Sequence, residues 1–220
     1  MKPIEQDIKS LKGHHAQMWE LVESQIKKAF IAFETNNKEL AREIITREKT
    51  VNMQELVVDH HCENFIALFS PVAIDLRFVI SLLKINNNLE RIGDYAEGIA
   101  TYVLNHQEYP FDKTLCADLQ LKVMMDTTSQ MIETARTALV KEDSIVACRV
   151  LGMDQKVDEI NKDSVAVLSK YIGENPLQAA DLLHLYAVIR RVERIGDRIK
   201  NIAEDIVFYI DAKELRHKSN

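Results

Sequence analysis

Five oxygen-bearing side chains on two short words carry the chemistry most visible in this chain. Glu193, Asp197 and Asn201 are spaced four residues apart, and Glu90 and Asp94 repeat the first step of that spacing. Residues four apart project from one face of an α-helix on successive turns. Like charges at that spacing cost an isolated helix about 0.2–0.5 kcal/mol, so such a line calls for a cation. Both acid pairs sit in the identical word Glu-Arg-Ile-Gly-Asp, at 90–94 and 193–197. The glycine inside it, Gly93 or Gly196, gives up roughly 1 kcal/mol against alanine in a helix interior. A bare glycine there implies that something comes very close to the backbone.

Each line has a counterpart upstream. Glu90 and Asp94 lie 19 and 23 residues after Pro71, and Asn52 and Glu48 lie 19 and 23 before it. Glu193 and Asp197 lie 17 and 21 after Pro176, and Asp158 and Asp154 lie 18 and 22 before it. If each proline marks a tight turn between antiparallel helices, residues equidistant from it share a level. Two pairs of carboxylate or amide oxygens then meet in each half of the chain. Oxygen clusters without thiols suit hard cations such as Mg²⁺, Ca²⁺ or Mn²⁺, and iron less readily. The expected ligands are Asp154, Asp158, Glu193 and Asp197, helped by Asn201, with Glu48, Asn52, Glu90 and Asp94 binding more weakly. The competing account is neutralisation by Arg190, Arg191, Arg194 and Arg198. It is weaker in the first half, where Asn87 and Asn88 replace Arg190 and Arg191.

The elements that position these residues follow from apolar spacing. Val188, Val192, Ile195, Ile199, Ile202 and Ile206 recur at steps of three and four, the stripe of a helix buried along one side. The same reading predicts helices over 4–34, 38–69, about 70–105, 115–141, 144–171 and 175–210. Asn36-Asn37 and Glu142-Asp143-Ser144 supply turns, Ser70-Pro71 and Asn175-Pro176 read as cap-plus-proline starts, and Gly173 reads as a helix C-cap. Residues 105–114, with Pro110, form the expected linker. Pro3 and Pro110, Pro71 and Pro176, and Val51-Asn52 and Val157-Asp158 all pair at offsets close to the 103 between Glu90 and Glu193. The fold expected is all-α: two tandem three-helix bundles related by an internal repeat.

Composition narrows the function. The chain has 220 residues, 46% hydrophobic, with a net charge of −6. That balance, without a long basic block, makes nucleic acid a poor partner. No run approaches the roughly 18 apolar residues of a membrane span, and the first fifteen residues lack the apolar stretch of a signal peptide. Cys62, Cys116 and Cys148 fit no metal or redox spacing and read as reduced thiols in the cytosol. His14-His15, Asp59-His60-His61 and Asp181 with His184 are at best secondary ligand candidates. Glu214 to His217 is the one Glu-x-x-His spacing, too little for a di-iron site. No phosphate loop, nucleophile elbow or Cys–His pair appears. Trp19 falls at core spacing.

Together these words resemble the PhoU family. The residues that carry the likeness are Glu48 to Met53, Pro71 with Asp75-Leu76-Arg77, both Glu-Arg-Ile-Gly-Asp words, Lys156-Val157-Asp158, and Asn201 through Phe208. The resemblance spans nearly the whole chain and implies one bundle over 1–108 and a second over 109–220. It implies a cytoplasmic, non-enzymatic negative regulator of the phosphate-starvation response. Such a protein would link a phosphate ABC transporter to a sensor histidine kinase, would form a homodimer, and would touch the membrane only through partners. It also implies divalent or trivalent metal ions (Mg, Mn, Fe, Zn or Ca) on the acidic faces. Gly98 stands where the motif's final Asn is expected, which leaves the first ligand set short. The alternative functions are a metal-dependent helical-bundle enzyme and a purely structural protein whose acids are solvated.

Overall fold

The apolar stripes do form long helices, and side-chain caps fix where two of them, at Lys38 and Ser144, start. In the computed structural model, which describes residues 3–106 and 113–215, α1 spans Pro3–Thr35, α2 Lys38–Phe69 and α3 Ala73–Asn105. The second half contains α4 (Lys113–Asp118), α5 (Leu121–Lys141), α6 (Ser144–Glu174) and α7 (Ala179–Asp211), with one 3₁₀ turn at Pro176–Gln178. Among the described residues there is no strand, and no helix is long and apolar enough to cross a membrane. Asn36 takes the left-handed conformation, and Asn37 then caps α2 by accepting from Leu40 N–H at 3.0 Å. Asp143 caps α6 through Ile145 and Val146 N–H, at 2.9 and 3.1 Å.

Three local expectations are corrected. The helix expected over 115–141 is broken at Leu119-Gln120, where Gln120 has φ 50°. Leu119 and Leu121 are both buried. Two residues apart, they would point to nearly opposite sides of one continuous helix, so the break lets both face the core. Ser70 is not a helix start. It closes α2 from the left-handed conformation, its N–H donating to Ile66 C=O, and α3 begins only at Ala73. Gly173 is not a cap either. α6 runs on to Glu174, and Asn175 N–H closes it on Tyr171 C=O at 2.8 Å. Pro176 does open the next element, which is the 3₁₀ turn rather than α7. Most of the expected linker, and the expected boundary at 108/109, fall on residues 107–112, outside the described residues.

Three helices pack together in each half: α1, α2 and α3, then α5, α6 and α7. The halves are not merely tethered. α3 packs against α7 as extensively as it packs against α2, and the buried residues of both halves form one continuous core. The pair is antiparallel. Phe78 meets Tyr209, Lys84 meets Asp205, Arg194 covers Tyr95, and His106 meets His184. By that register Gly93 and Gly196 share one level. α1 and α5 cross on one side of the pair, tied by ion pairs from Lys27 to Glu133 (2.7 Å) and from Arg136 to Glu20 and Glu23 (3.1 and 3.2 Å).

Candidate metal centre

The hairpin counting holds where it can be measured. Asp154 and Asp158 on α6 meet Asp197 on α7, with one carboxylate oxygen of each lying within 4.8 Å of the others. Among the described residues this is the one set of three acidic, His or Cys side chains so grouped. Glu193 belongs to the same field: Asp197 and Asp158 both act on its charge, and its Oε2 is buried without a hydrogen-bond partner. Asn201 lies one turn beyond Asp197, half-buried.

Gly196 leaves open backbone beside the deepest of these acids. A Cβ there would meet Asp154 Oδ1 and Val157 Cγ1 at 3.4 Å, and Met131 Cε at 3.8 Å. Gly93 does the same for Glu48: a Cβ would stand 3.3 Å from both carboxylate oxygens and 3.2 Å from Val51 Cγ1. The close neighbour expected of each glycine is therefore a buried carboxylate from the adjacent helix. Glu48 is 5% exposed and Asp154 1%.

Their partners differ. Gln25 on α1 donates to Glu48 Oε2 at 2.7 Å, and Oε1 has no partner. Burial, then the charges of Asp94 and Glu97, push the Glu48 carboxyl up to about 7. Glu90 and Glu97 are raised as well, first by burial and then by Asp94. Asn52 is exposed on α2 one turn after Glu48. In the second face Lys200 Nζ stands 2.7 Å from Asp154 Oδ2, while Oδ1 is unpartnered. Burial still raises Asp154, opposed by Lys200. Asp158 and Glu193 are also raised, mainly by burial.

The arginines mostly serve another purpose. Arg190 pairs with Glu193 at 3.3 Å. Arg191 donates to Ala187 C=O, and its side chain lies over Gly98, where a Cβ would fall 2.5 Å from Nε. Arg194 covers the Tyr95 ring, and Arg198 reaches Asn88 Oδ1 at 3.5 Å. Three of the four thus lie along the α3–α7 seam. Gly98 gives up the motif's last oxygen and seats Arg191 across that seam. In the first face Arg91 contacts Glu90 and Asp94, at 3.5 and 3.1 Å.

Sequence reasoning missed Lys200, Glu97, Glu55 and Gln25. The first two were findable, because position 97 continues the Glu90-Asp94 face by three residues and position 200 continues Glu193-Asp197 likewise. Glu55 continues Glu48-Asn52 in the same way and is raised by burial and by Asp59. Gln25 carried no such signal, since α1 brings it in from outside the hairpin.

Chemically, partly desolvated carboxylates at close quarters, with orphaned oxygens at Glu48, Glu90, Asp154 and Glu193, match a hard cation. Each orphaned buried acceptor costs about 1–3 kcal/mol, which a metal ligand bond would offset. The described histidines do not join them. His14 stacks on His61, and His184 meets His106.

Known proteins agree with this architecture. The PhoU domain family model matches the chain twice, over residues 16–103 and 121–206. The phosphate-specific transport system accessory protein PhoU of Escherichia coli K12 is 32% identical over 211 residues, covering 96% of this chain and 86% of that protein. Its counterpart in Edwardsiella tarda is 33% identical, over 90% and 80% of the respective chains. The crystal structure of PhoU from Pseudomonas aeruginosa superposes with a TM-score of 0.88 at 27% identity, over 95% of this chain and 99% of that one. That of the phosphate transport system regulatory protein PhoU from Streptococcus pneumoniae gives 0.82 at 26%, over 96% and 99%. Doubled bundles, doubled acidic words and doubled domain matches lead to one conclusion: the chain belongs to the PhoU family.

Proposed function

We propose that this chain is a cytoplasmic accessory protein of a phosphate-specific transport system that restrains the phosphate-starvation response by binding, not by turnover. What carries the reading is that relatives about a third identical over nearly the full chain are named accessory proteins of that system, and a structural neighbour a regulatory one. None of these names denotes an enzyme. In this reading the chain acts as a homodimer and contacts both the phosphate ABC transporter and a sensor histidine kinase, reaching the membrane only through them.

The acidic faces supply the metal part of the proposal. Asp154, Asp158, Glu193 and Asp197, with Asn201, hold a divalent or trivalent cation, and Glu48, Asn52, Glu90 and Asp94 hold another. The convergence of Asp154, Asp158 and Asp197 within 4.8 Å supports the first site. The orphaned Oε1 of Glu48 supports the second, as does Glu90 Oε2, which makes no hydrogen bond and only a 3.5 Å ion pair with Arg91. Ligands drawn from both helices of a hairpin clamp that hairpin, so the cation would act by fixing α6 on α7 and α2 on α3. Bound charge would also relieve the like-charge repulsion that, after burial, raises the Glu48, Glu90, Asp154, Asp158 and Glu193 carboxyls.

Deleting the gene is the direct test. Phosphate-scavenging genes are expected to switch on in phosphate-rich medium, and restoring the chain is expected to silence them again. A deletion strain that keeps those genes fully repressed overturns the regulatory assignment.

A further inference from the structure

A cavity of about 250 Å³ opens where α1 and α3 of the first half meet α5 and α7 of the second. His15, Trp19, Phe78, Leu82, Leu139 and Tyr209 form its walls. It lies on the α1–α5 side of the molecule, and neither acidic face contributes a residue to it.

Two observations make this more than a packing gap. Trp19 is 1% exposed and His15 3%, yet Trp19 Nε1 and His15 Nε2 have no hydrogen-bond partner. The two rings lie on successive turns of α1 with centroids 5.9 Å apart. An unmet buried donor is costly, and two residues that line this one cavity each carry a buried polar atom without a partner. Burial pushes the His15 pKa down to about 4, so its imidazole is neutral at pH 7, and in the Nδ1–H tautomer its Nε2 accepts a hydrogen bond. The rim is already charge-balanced. Lys12 pairs with Glu142 at 3.0 Å, and Arg136 pairs with Glu20 and Glu23. Nothing there favours a charged guest.

We propose that this cavity binds a small uncharged hydrophobic molecule carrying a hydroxyl group, of the phenol or alcohol class. A hydroxyl meets both needs in a single atom: its oxygen accepts from Trp19 Nε1–H, and its O–H donates to His15 Nε2. The apolar body packs on Phe78, Leu82 and Tyr209. An apolar cavity of about 150 Å³ is enough to take up benzene, so a substituted ring fits here. Because the walls come from both halves, a guest would hold α1 and α3 against α5 and α7. A lone water satisfying Trp19 and His15 is the competing occupant.

Trp19 is the sole tryptophan of the chain, so its emission reports the cavity without a label. The full-length protein is titrated with p-cresol and with p-xylene, which replaces the hydroxyl by a methyl of similar size. Excitation is set at the red edge, where neither probe absorbs. The expected result is a saturable shift in Trp19 emission, with p-cresol bound roughly tenfold more tightly than p-xylene. At a hundredfold excess over Kd, p-cresol should raise the melting temperature by roughly 5–11 °C. Ala16 is exposed at the mouth, so Ala16→Leu narrows the entrance without touching the core and should weaken p-cresol at least tenfold. His15→Leu should bring the two probes to similar affinity. No saturable response to either probe means a water-filled cavity and overturns the proposal. Equal affinities in the wild-type chain overturn the hydroxyl assignment, and an Ala16→Leu chain that binds as wild type places the guest elsewhere.

Discussion

The two acidic faces start from the same word and end in different electrostatic states. Both place a carboxylate against the glycine of Glu-Arg-Ile-Gly-Asp. In the first face that carboxylate, Glu48, receives a neutral amide from Gln25, with Glu97 adding a further negative charge. In the second, Asp154 receives the ammonium of Lys200, which occupies the turn where Glu97 stands. The first face thus stores more unrelieved repulsion, and the second brings three carboxylates closer together. A shared backbone motif fixes where the oxygens go, and a single side chain one turn away sets how charged they are.

The largest expected effect comes from Glu48. Its pKa of about 7 in the folded protein exceeds the 4.5 of the free side chain. Between those values the native state holds more protons than the unfolded chain, so stability falls as pH rises, by roughly 3 kcal/mol in all. Other raised acids on both faces act in the same direction, while buried His15, held down to about 4, acts in the opposite direction over the same range and offsets part of the loss. Because His15 contributes equally to both proteins, chemical denaturation in chelator at pH 5 and pH 8 should show the wild-type chain losing roughly 2–3 kcal/mol relative to Glu48→Gln between the two pH values. An unchanged slope in the variant would remove the electrostatic contrast between the faces.

Cation binding comes next. A ligand at a hundredfold excess over Kd stabilises the native state by about 2.7 kcal/mol. Millimolar Mg²⁺ or Mn²⁺ should therefore raise the melting temperature at pH 8. The Glu193→Ala, Asp197→Ala double variant should lose most of that rise, and Glu90→Ala, Asp94→Ala the remainder. If chelator and metal give identical melts, Lys200, Arg190 and Arg91 are the counterions, and no cation is needed.

Replacing Lys200 sharpens the comparison directly. Lys200→Met leaves Asp154 buried without its ion partner and should cost about 2 kcal/mol in chelator. That is below the usual figure for a fully buried pair, because the ammonium is partly exposed. The same variant should bind Mg²⁺ more tightly than the wild-type chain, since a competing cation is gone. Calorimetric titration showing weaker binding would mean that Lys200 orders the site instead of competing for it.

The smallest effect separates the glycines. At Gly196 an added methyl makes ordinary contacts, so Gly196→Ala should stabilise the chelated protein by up to about 1 kcal/mol through helix propensity. At Gly93 the contacts are tighter, 3.2–3.3 Å, and Gly93→Ala should gain less or lose. Thermal melts of the two variants side by side would expose a reversal of that order.

Helix periods, turn residues and counts from the two prolines were enough to place Glu48 near Gly93 and Asp154 near Asp197, although Ser70 proved to end α2 instead of starting α3. Level-matching survived that error because it depends only on where the chain reverses. The sequence also implied that a close neighbour faces each glycine, because an interior glycine is otherwise hard to justify. The break in the helix expected over 115–141 carries no glycine or proline to mark it; its one trace in the sequence is Leu119 and Leu121, two residues apart and both buried, a spacing that no single helical stripe holds.

What the amino-acid order determined by itself is local: helices, hairpins, the twin lines of acids and the repeat, all set by periodicity and by distance from a turn. Only the tertiary structure decided that Gln25 reaches Glu48 from α1, that Arg191 crosses to Gly98, and that four helices from both halves enclose a cavity beside Trp19. Those contacts join residues far apart in the chain, and their geometry follows from how α3 and α7 dock along their length, a register that no count from a nearby turn can fix.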